Sequence, residues 1–67
     1  MDQNGAIRIL NKFGYEAEVI DGVLTVEIPS GNAAAFQQEF LRARFILEKG
    51  GFKGKVAAQE KYMEVAS

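Results

Sequence analysis

The chain has no cysteine and no histidine among its 67 residues. Disulfides, thiolate chemistry, imidazole catalysis and the usual zinc sites are therefore excluded, because each needs one of these side chains. The sequence also lacks an apolar run long enough to cross a bilayer, and no signal peptide is visible. We therefore expect a cytoplasmic protein with no membrane contact, no cofactor and no bound metal.

The net charge and the length of the chain further narrow the class of protein. The formal net charge is −1, so no global field recruits nucleic acid or an anionic membrane. Hydrophobic residues make up 48% of the chain, which is typical of a folded domain rather than of a disordered one. We expect one small domain over residues 1–67, and domains of this size are usually only marginally stable.

The central element of the sequence is a helix predicted from Asn32 to Lys49. Asn32 or Ser30 can cap its first turn, because a short polar side chain accepts a hydrogen bond from a backbone N–H there. Gly50 suits the left-handed position that ends many helices. Apolar residues recur at helical spacing along one stripe, which we expect to be buried. They are Phe36, Phe40, Ala43 and Leu47.

A shorter helix is predicted over residues 6–13, and Gly14 ends it. Four apolar residues share one arc of this helix and are predicted to face the core. They are Ala6, Ile9, Leu10 and Phe13.

A β-hairpin is predicted over residues 15–28, because Asp21-Gly22 suits a two-residue turn in which both residues have positive φ. The turn sets the register and pairs Ile20 with Val23. One face of the hairpin is then entirely apolar and is predicted to face the core. It consists of Tyr15, Ala17, Val19, Leu24, Val26 and Ile28.

The two ends of the chain resemble each other. ILNKFGYEAEV, from Ile9, matches ILEKGGFKGKV, from Ile46, at a shift of 37 residues. We interpret this as an internal duplication, with one repeat over about residues 6–30 and another over about residues 43–67. Residues 52–67 would also suit a helix, but the repeat favours a second hairpin. Its inward side would carry Phe52, Val56, Lys61, Met63 and Val65.

The predicted fold is therefore α+β, in the order α-β-β-α-β-β, with two helices on a four-stranded antiparallel sheet. This layout resembles a circularly permuted ferredoxin-like sandwich, an architecture that implies no particular function.

Two groups of apolar residues fall outside the predicted core. Ala34, Leu41 and Phe45 lie opposite the buried stripe of the long helix. Another part of the chain could cover them, they could be merely exposed, or they could form a contact with a second copy or another protein. Ile20 and Val23, with Ala57, form a smaller group on the outward face of the sheet.

Two charged groups offer alternatives to a protein interface. Lys49, Lys53 and Lys55 lie in a glycine-rich stretch that could bind an anion or nucleic acid, and Gly51 to Gly54 match the GxxG spacing of KH domains. The same glycines could simply serve the helix end and the packing. Glu16, Glu18 and Glu27 share the outward sheet face, and they indicate a solvated surface more than a cation site or a carboxylate pair for catalysis.

These observations favour a small non-enzymatic interaction or assembly domain that forms a homodimer. Catalysis is not expected, because neither Ser30 nor Ser67 has a histidine to activate it. The alternative is an anion-binding or nucleic-acid-binding module that uses the lysine-rich stretch.

Overall fold

The computed structural model describes residues 1–61 and has two helices and one three-stranded sheet. In chain order the elements are α1 (Gln3–Lys12), β1 (Glu16–Ile20), β2 (Val23–Ile28), α2 (Ala33–Lys49) and β3 (Val56–Glu60). Both helices pack on the same sheet, which confirms the α+β class.

Side-chain caps begin both helices. The Asp2 carboxylate accepts a hydrogen bond of 2.8 Å from the Gly5 N–H, so α1 begins earlier than the sequence predicts. The Asn32 side chain accepts one of 2.8 Å from the Ala35 N–H, which confirms Asn32 as the cap of α2. These bonds satisfy N–H groups that the first turn of a helix leaves unpaired.

The first hairpin has the predicted register. Ile20 pairs with Val23 and Glu16 with Glu27, and β1 runs antiparallel to β2. Asp21 and Gly22 have φ angles of 51° and 78°, as a tight hairpin turn requires. Val19 was expected inside but is 42% exposed, because β1 is an edge strand of the sheet.

The core lies between the two helices and the central strand β2. Leu24, Val26 and Ile28 project from β2 and have no accessible surface. Each helix presents an alanine and a leucine to them, four residues apart, as one face of a helix allows. These are Ala6 and Leu10 from α1, and Ala43 and Leu47 from α2.

The third strand corrects the predicted topology. β3 runs parallel to β2, with Leu24 opposite Val56 and Ile28 opposite Glu60, so the all-antiparallel sheet is wrong for residues 1–61. A parallel neighbour needs a crossover connection, which α2 provides. The predicted fourth strand, around Met63 and Val65, lies outside the described residues. The internal duplication is not confirmed.

Three predictions about single residues are also wrong. Phe13 does not join the core but is 57% exposed, because it follows the last residue of α1. Gly50 has φ −78°, and the left-handed residue is Gly51 at φ +90°. Lys61 does not point inward. Its ammonium group contacts Glu16 and lies 3.9 Å from Glu27, on the opposite face of the sheet.

Candidate protein-protein interface

The helical layer exposes three large apolar side chains. Phe13, Leu41 and Phe45 are 57%, 53% and 59% exposed. Leu41 and Phe45 are one turn apart on α2 and lie opposite its buried residues, so they are neighbours on the helix surface. We call these three residues the helical patch.

A shallow apolar groove of about 310 Å³ joins Phe13 to Phe45 within the helical patch. It lies where the end of α1 meets the end of α2, and its lining includes Phe13, Phe45 and Gly50. The ammonium group of Lys49 lies 5.4 Å from the centre of the Phe45 ring, a cation–π distance. The groove therefore offers apolar surface with a positive charge at its edge.

The sequence-predicted interface residues of α2 lie on this side of the molecule. Ala34 is exposed in the first turn of α2, and it precedes Leu41 by two turns of the helix. A line from Ala34 through Leu41 to Phe45 follows the solvent side of α2. Among residues 1–61, no element packs over this line: the helix contacts of α2 are with α1, and its sheet contacts are on its buried side.

The second predicted group lies on the other side of the molecule. Ile20 is 37% exposed and pairs with Val23, which is half-buried. Ala57 lies opposite Thr25 in the next pair of strands and is also half-buried. We call the sheet surface that carries these residues the open sheet face, because both described helices pack on the opposite side.

Two carboxylates of the open sheet face are compensated by a lysine that the sequence analysis placed on the opposite face. Glu16 and Glu27 are direct neighbours across β1 and β2, which is an unfavourable like-charge pair. Lys61 contacts Glu16, and Gln59 donates a 3.2 Å hydrogen bond to Glu27. The hydrogen bond from Lys61 lowers the pKa of the Glu16 carboxyl, and the same contact raises the pKa of Lys61. This arrangement indicates a solvated, charge-paired surface.

The lysine-rich stretch does not converge on one site. Lys53 and Lys55 line an open recess with Gly51 and Gly54, whereas Lys49 lies beside Phe45 at the helical patch. Two of the glycines have structural roles. Gly51 has φ +90°, and a side chain on Gly54 would come within 2.7 Å of the Phe52 ring.

Among residues 1–61, no three His, Cys, Asp or Glu side chains come close enough together to hold a metal ion. In the same part of the chain, neither helix combines the length and apolar character that a membrane crossing requires.

The chain matches no protein-family model, no curated protein and no solved structure.

Phe13 is the patch residue that sequence reasoning missed. Helical periodicity places Phe13 on the buried arc. The helix ends at Lys12, however, so the periodicity no longer applies to Phe13. A signal was nevertheless present in the sequence. In the match between the two segments Phe13 aligns with Gly50, and a glycine at the matching position places no side chain in the core.

Proposed function

We propose that this chain is a small non-enzymatic interaction domain that self-associates through the helical patch. One observation supports this proposal above the others. Phe13, Leu41 and Phe45 are each more than half exposed and lie on adjoining surfaces of the two helices. Clustered exposed apolar side chains on a small domain mark interaction surfaces more often than scattered ones do. The proposal retains the cytoplasmic location that the sequence predicts.

The patch has the composition of an interface centre. Aromatic anchors at the centre of a contact commonly contribute about 2 kcal/mol or more each. Phe45 is the most exposed of the large apolar side chains described, and Lys49 lies beside its ring. Burying this ring against another molecule would remove apolar surface from water without disturbing the core, where Ala43 and Leu47 face the sheet.

The test is the solution mass of the wild type and of Phe45→Glu. We expect the wild type to be larger than a monomer at high concentration, and the variant to be a monomer with an unchanged far-ultraviolet circular dichroism spectrum. A carboxylate in the patch centre would lose its water on association, which is strongly unfavourable. Light scattering after size-exclusion chromatography measures both masses.

Asn4→Glu is the matched control. It adds the same charge at an exposed position in the first turn of α1, where a negative charge is well tolerated. We expect its mass to equal that of the wild type. A wild type that stays monomeric at every concentration would disprove self-association. Unfolding of Phe45→Glu would show instead that Phe45 supports the core.

A further inference from the structure

The two helices that carry the helical patch are basic. Together α1 and α2 contain five basic and two acidic side chains, which leaves a net charge of +3 at neutral pH. None of the five forms an ion pair with another residue in the described part of the chain. The helical patch is therefore an apolar surface with a basic rim. The rim consists of Lys49, which lies beside the Phe45 ring, and Arg42, which lines a recess together with Phe13, while Glu48 is an exposed acidic residue of the same helix.

The hairpin that forms most of the open sheet face is acidic. Residues 16–28 contain four acidic side chains and no basic one, a net charge of −4. Lys61 compensates Glu16 and Glu27 at one end of the hairpin. The opposite end, near the turn, keeps its negative charge.

The acidic end of the hairpin also carries the apolar residues. Glu18 and Asp21 flank Ile20 in sequence, and neither forms an ion pair within residues 1–61. Val23 pairs with Ile20 across the strands. Lys53 and Lys55 line a recess together with Val23, so they limit the acidic surface on the side of β3. The end of the open sheet face is thus a small apolar surface whose rim is acidic on the side of β1 and the turn.

From this complementarity we infer that the helical patch of one copy docks on the open sheet face of a second copy. The inference rests on the self-association proposed above and specifies its geometry. In this contact the basic rim of the helical patch faces the acidic rim of the open sheet face. The aromatic rings of the patch pack against Ile20 and Val23. Opposite charges placed around an apolar centre favour such a contact and select its orientation.

A twofold contact of the helical patch with itself is disfavoured by the same charges. It would bring Arg42 and Lys49 of one copy close to the same two residues of the other. Like charges brought together in this way oppose association. A head-to-tail contact avoids this repulsion, and it leaves each terminal copy with one unused surface. Repetition of the contact produces a closed ring or an open filament rather than a twofold dimer.

Two single variants, each with one disabled surface, test the inference. Phe45→Glu disables the helical patch and keeps the open sheet face. Ile20→Lys disables the open sheet face and keeps the helical patch. Both positions are exposed, so neither change removes a core contact. Each variant alone should associate at least about 30-fold more weakly than the wild type, the loss typical of an anchor residue.

Mixing the two variants distinguishes the geometries. Head-to-tail docking predicts that an equimolar mixture forms a heterodimer and nothing larger. The intact helical patch of Ile20→Lys can bind the intact open sheet face of Phe45→Glu, and neither chain has a second intact surface. A twofold contact predicts that Ile20→Lys associates as the wild type does and that mixing restores nothing. That result would overturn the inference and keep the proposed self-association, whereas a monomeric wild type would refute both.

The salt dependence of self-association is an independent test that needs no variant. Raising the sodium chloride concentration screens charges at the contact. Head-to-tail docking between opposite rims predicts weaker self-association at high salt. Association that strengthens with salt would indicate like charges at the contact and would overturn the inference. If Phe45→Glu unfolds, Leu41→Glu replaces it in the mixture, because Leu41 is also an exposed patch residue.

Discussion

The ends of the two helices have the same backbone structure, but the strands that follow them do not. In the first junction, residues 10–15, the Tyr15 N–H donates a 2.9 Å hydrogen bond to the Leu10 carbonyl. In the second, residues 47–52, the Phe52 N–H donates one of 2.9 Å to the Leu47 carbonyl. The glycine before each donor has φ +90°. This is the hydrogen-bonded helix end that a left-handed residue permits.

Beyond the junctions the two segments diverge. β1 begins at Glu16, directly after the first junction, and pairs antiparallel with β2. β3 begins at Val56, four residues after Phe52, and runs parallel to β2. Similar sequences therefore form the same local turn, whereas their sheet pairing depends on what connects them to β2. A two-residue turn forces an antiparallel neighbour, and a helical crossover permits a parallel one.

The largest expected effect comes from the leucine that begins each junction. Leu10→Ala and Leu47→Ala should each lower the free energy of unfolding by about 2–5 kcal/mol, because both leucines are fully buried and leave a cavity. Chemical denaturation measures the loss.

Leu41→Ala is the control for this pair, since Leu41 is an exposed leucine of the same helix as Leu47. At a concentration where the chain is monomeric, a surface substitution of this kind should change the free energy of unfolding by about 0.5 kcal/mol or less. If Leu10→Ala or Leu47→Ala lowers the free energy of unfolding no more than Leu41→Ala does, the two junctions are not equivalent.

The left-handed glycines should give a smaller effect. Gly14→Ala and Gly51→Ala should each cost about 1–2 kcal/mol of unfolding free energy, because a side chain disfavours positive φ. Gly50→Ala separates backbone strain from crowding. Gly50 has an ordinary helical φ of −78°, and its new methyl group would meet the flexible end of Met1.

Thermal unfolding of the three variants ranks them. Gly50→Ala should be the least destabilised, because a methionine end can move while a backbone φ cannot change without breaking the junction. Equal losses at Gly50 and Gly51 would mean that crowding, and not left-handed geometry, determines the role of these glycines.

The smallest effect concerns the last residue of each junction, which is Tyr15 in the first and Phe52 in the second. Tyr15 donates a 2.6 Å hydrogen bond to Glu39, and burial, followed by that bond, raises the pKa of Tyr15 to about 12. Below pH 10 the phenol is protonated whether the chain is folded or not. Above pH 10 the unfolded chain loses the proton first, so stability should fall as the pH rises toward 12.

Tyr15→Phe makes the first junction resemble the second and should remove this contribution. We expect a loss of about 1 kcal/mol at pH 7, the usual net value of one hydrogen bond. We also expect a shallower decrease in stability between pH 10 and 12 than in the wild type. Parallel decreases in the two proteins would show that the Tyr15–Glu39 bond does not couple to folding.

The sequence predicts the candidate interface unevenly. Leu41 and Phe45 could be placed on the solvent side because they lie in the middle of α2, where helical periodicity holds. Phe13 could not be placed in this way. It lies one residue past the end of α1, where helical periodicity no longer predicts the direction of a side chain. Lys61 was misplaced for a different reason, since the predicted second hairpin requires a turn before it, whereas β3 runs unbroken through Glu60 and its alternation places Lys61 on the outward face.

Local sequence determines the Asn32 cap, the Asp21-Gly22 turn and the register of the hairpin built on it. Each depends on residues a few positions apart, whose backbone preferences act without the rest of the chain. Tertiary structure alone decided the direction of β3. The seventeen residues of α2 return the chain by about 25 Å along the sheet. They bring β3 to the end where β2 begins, and no local propensity encodes that placement.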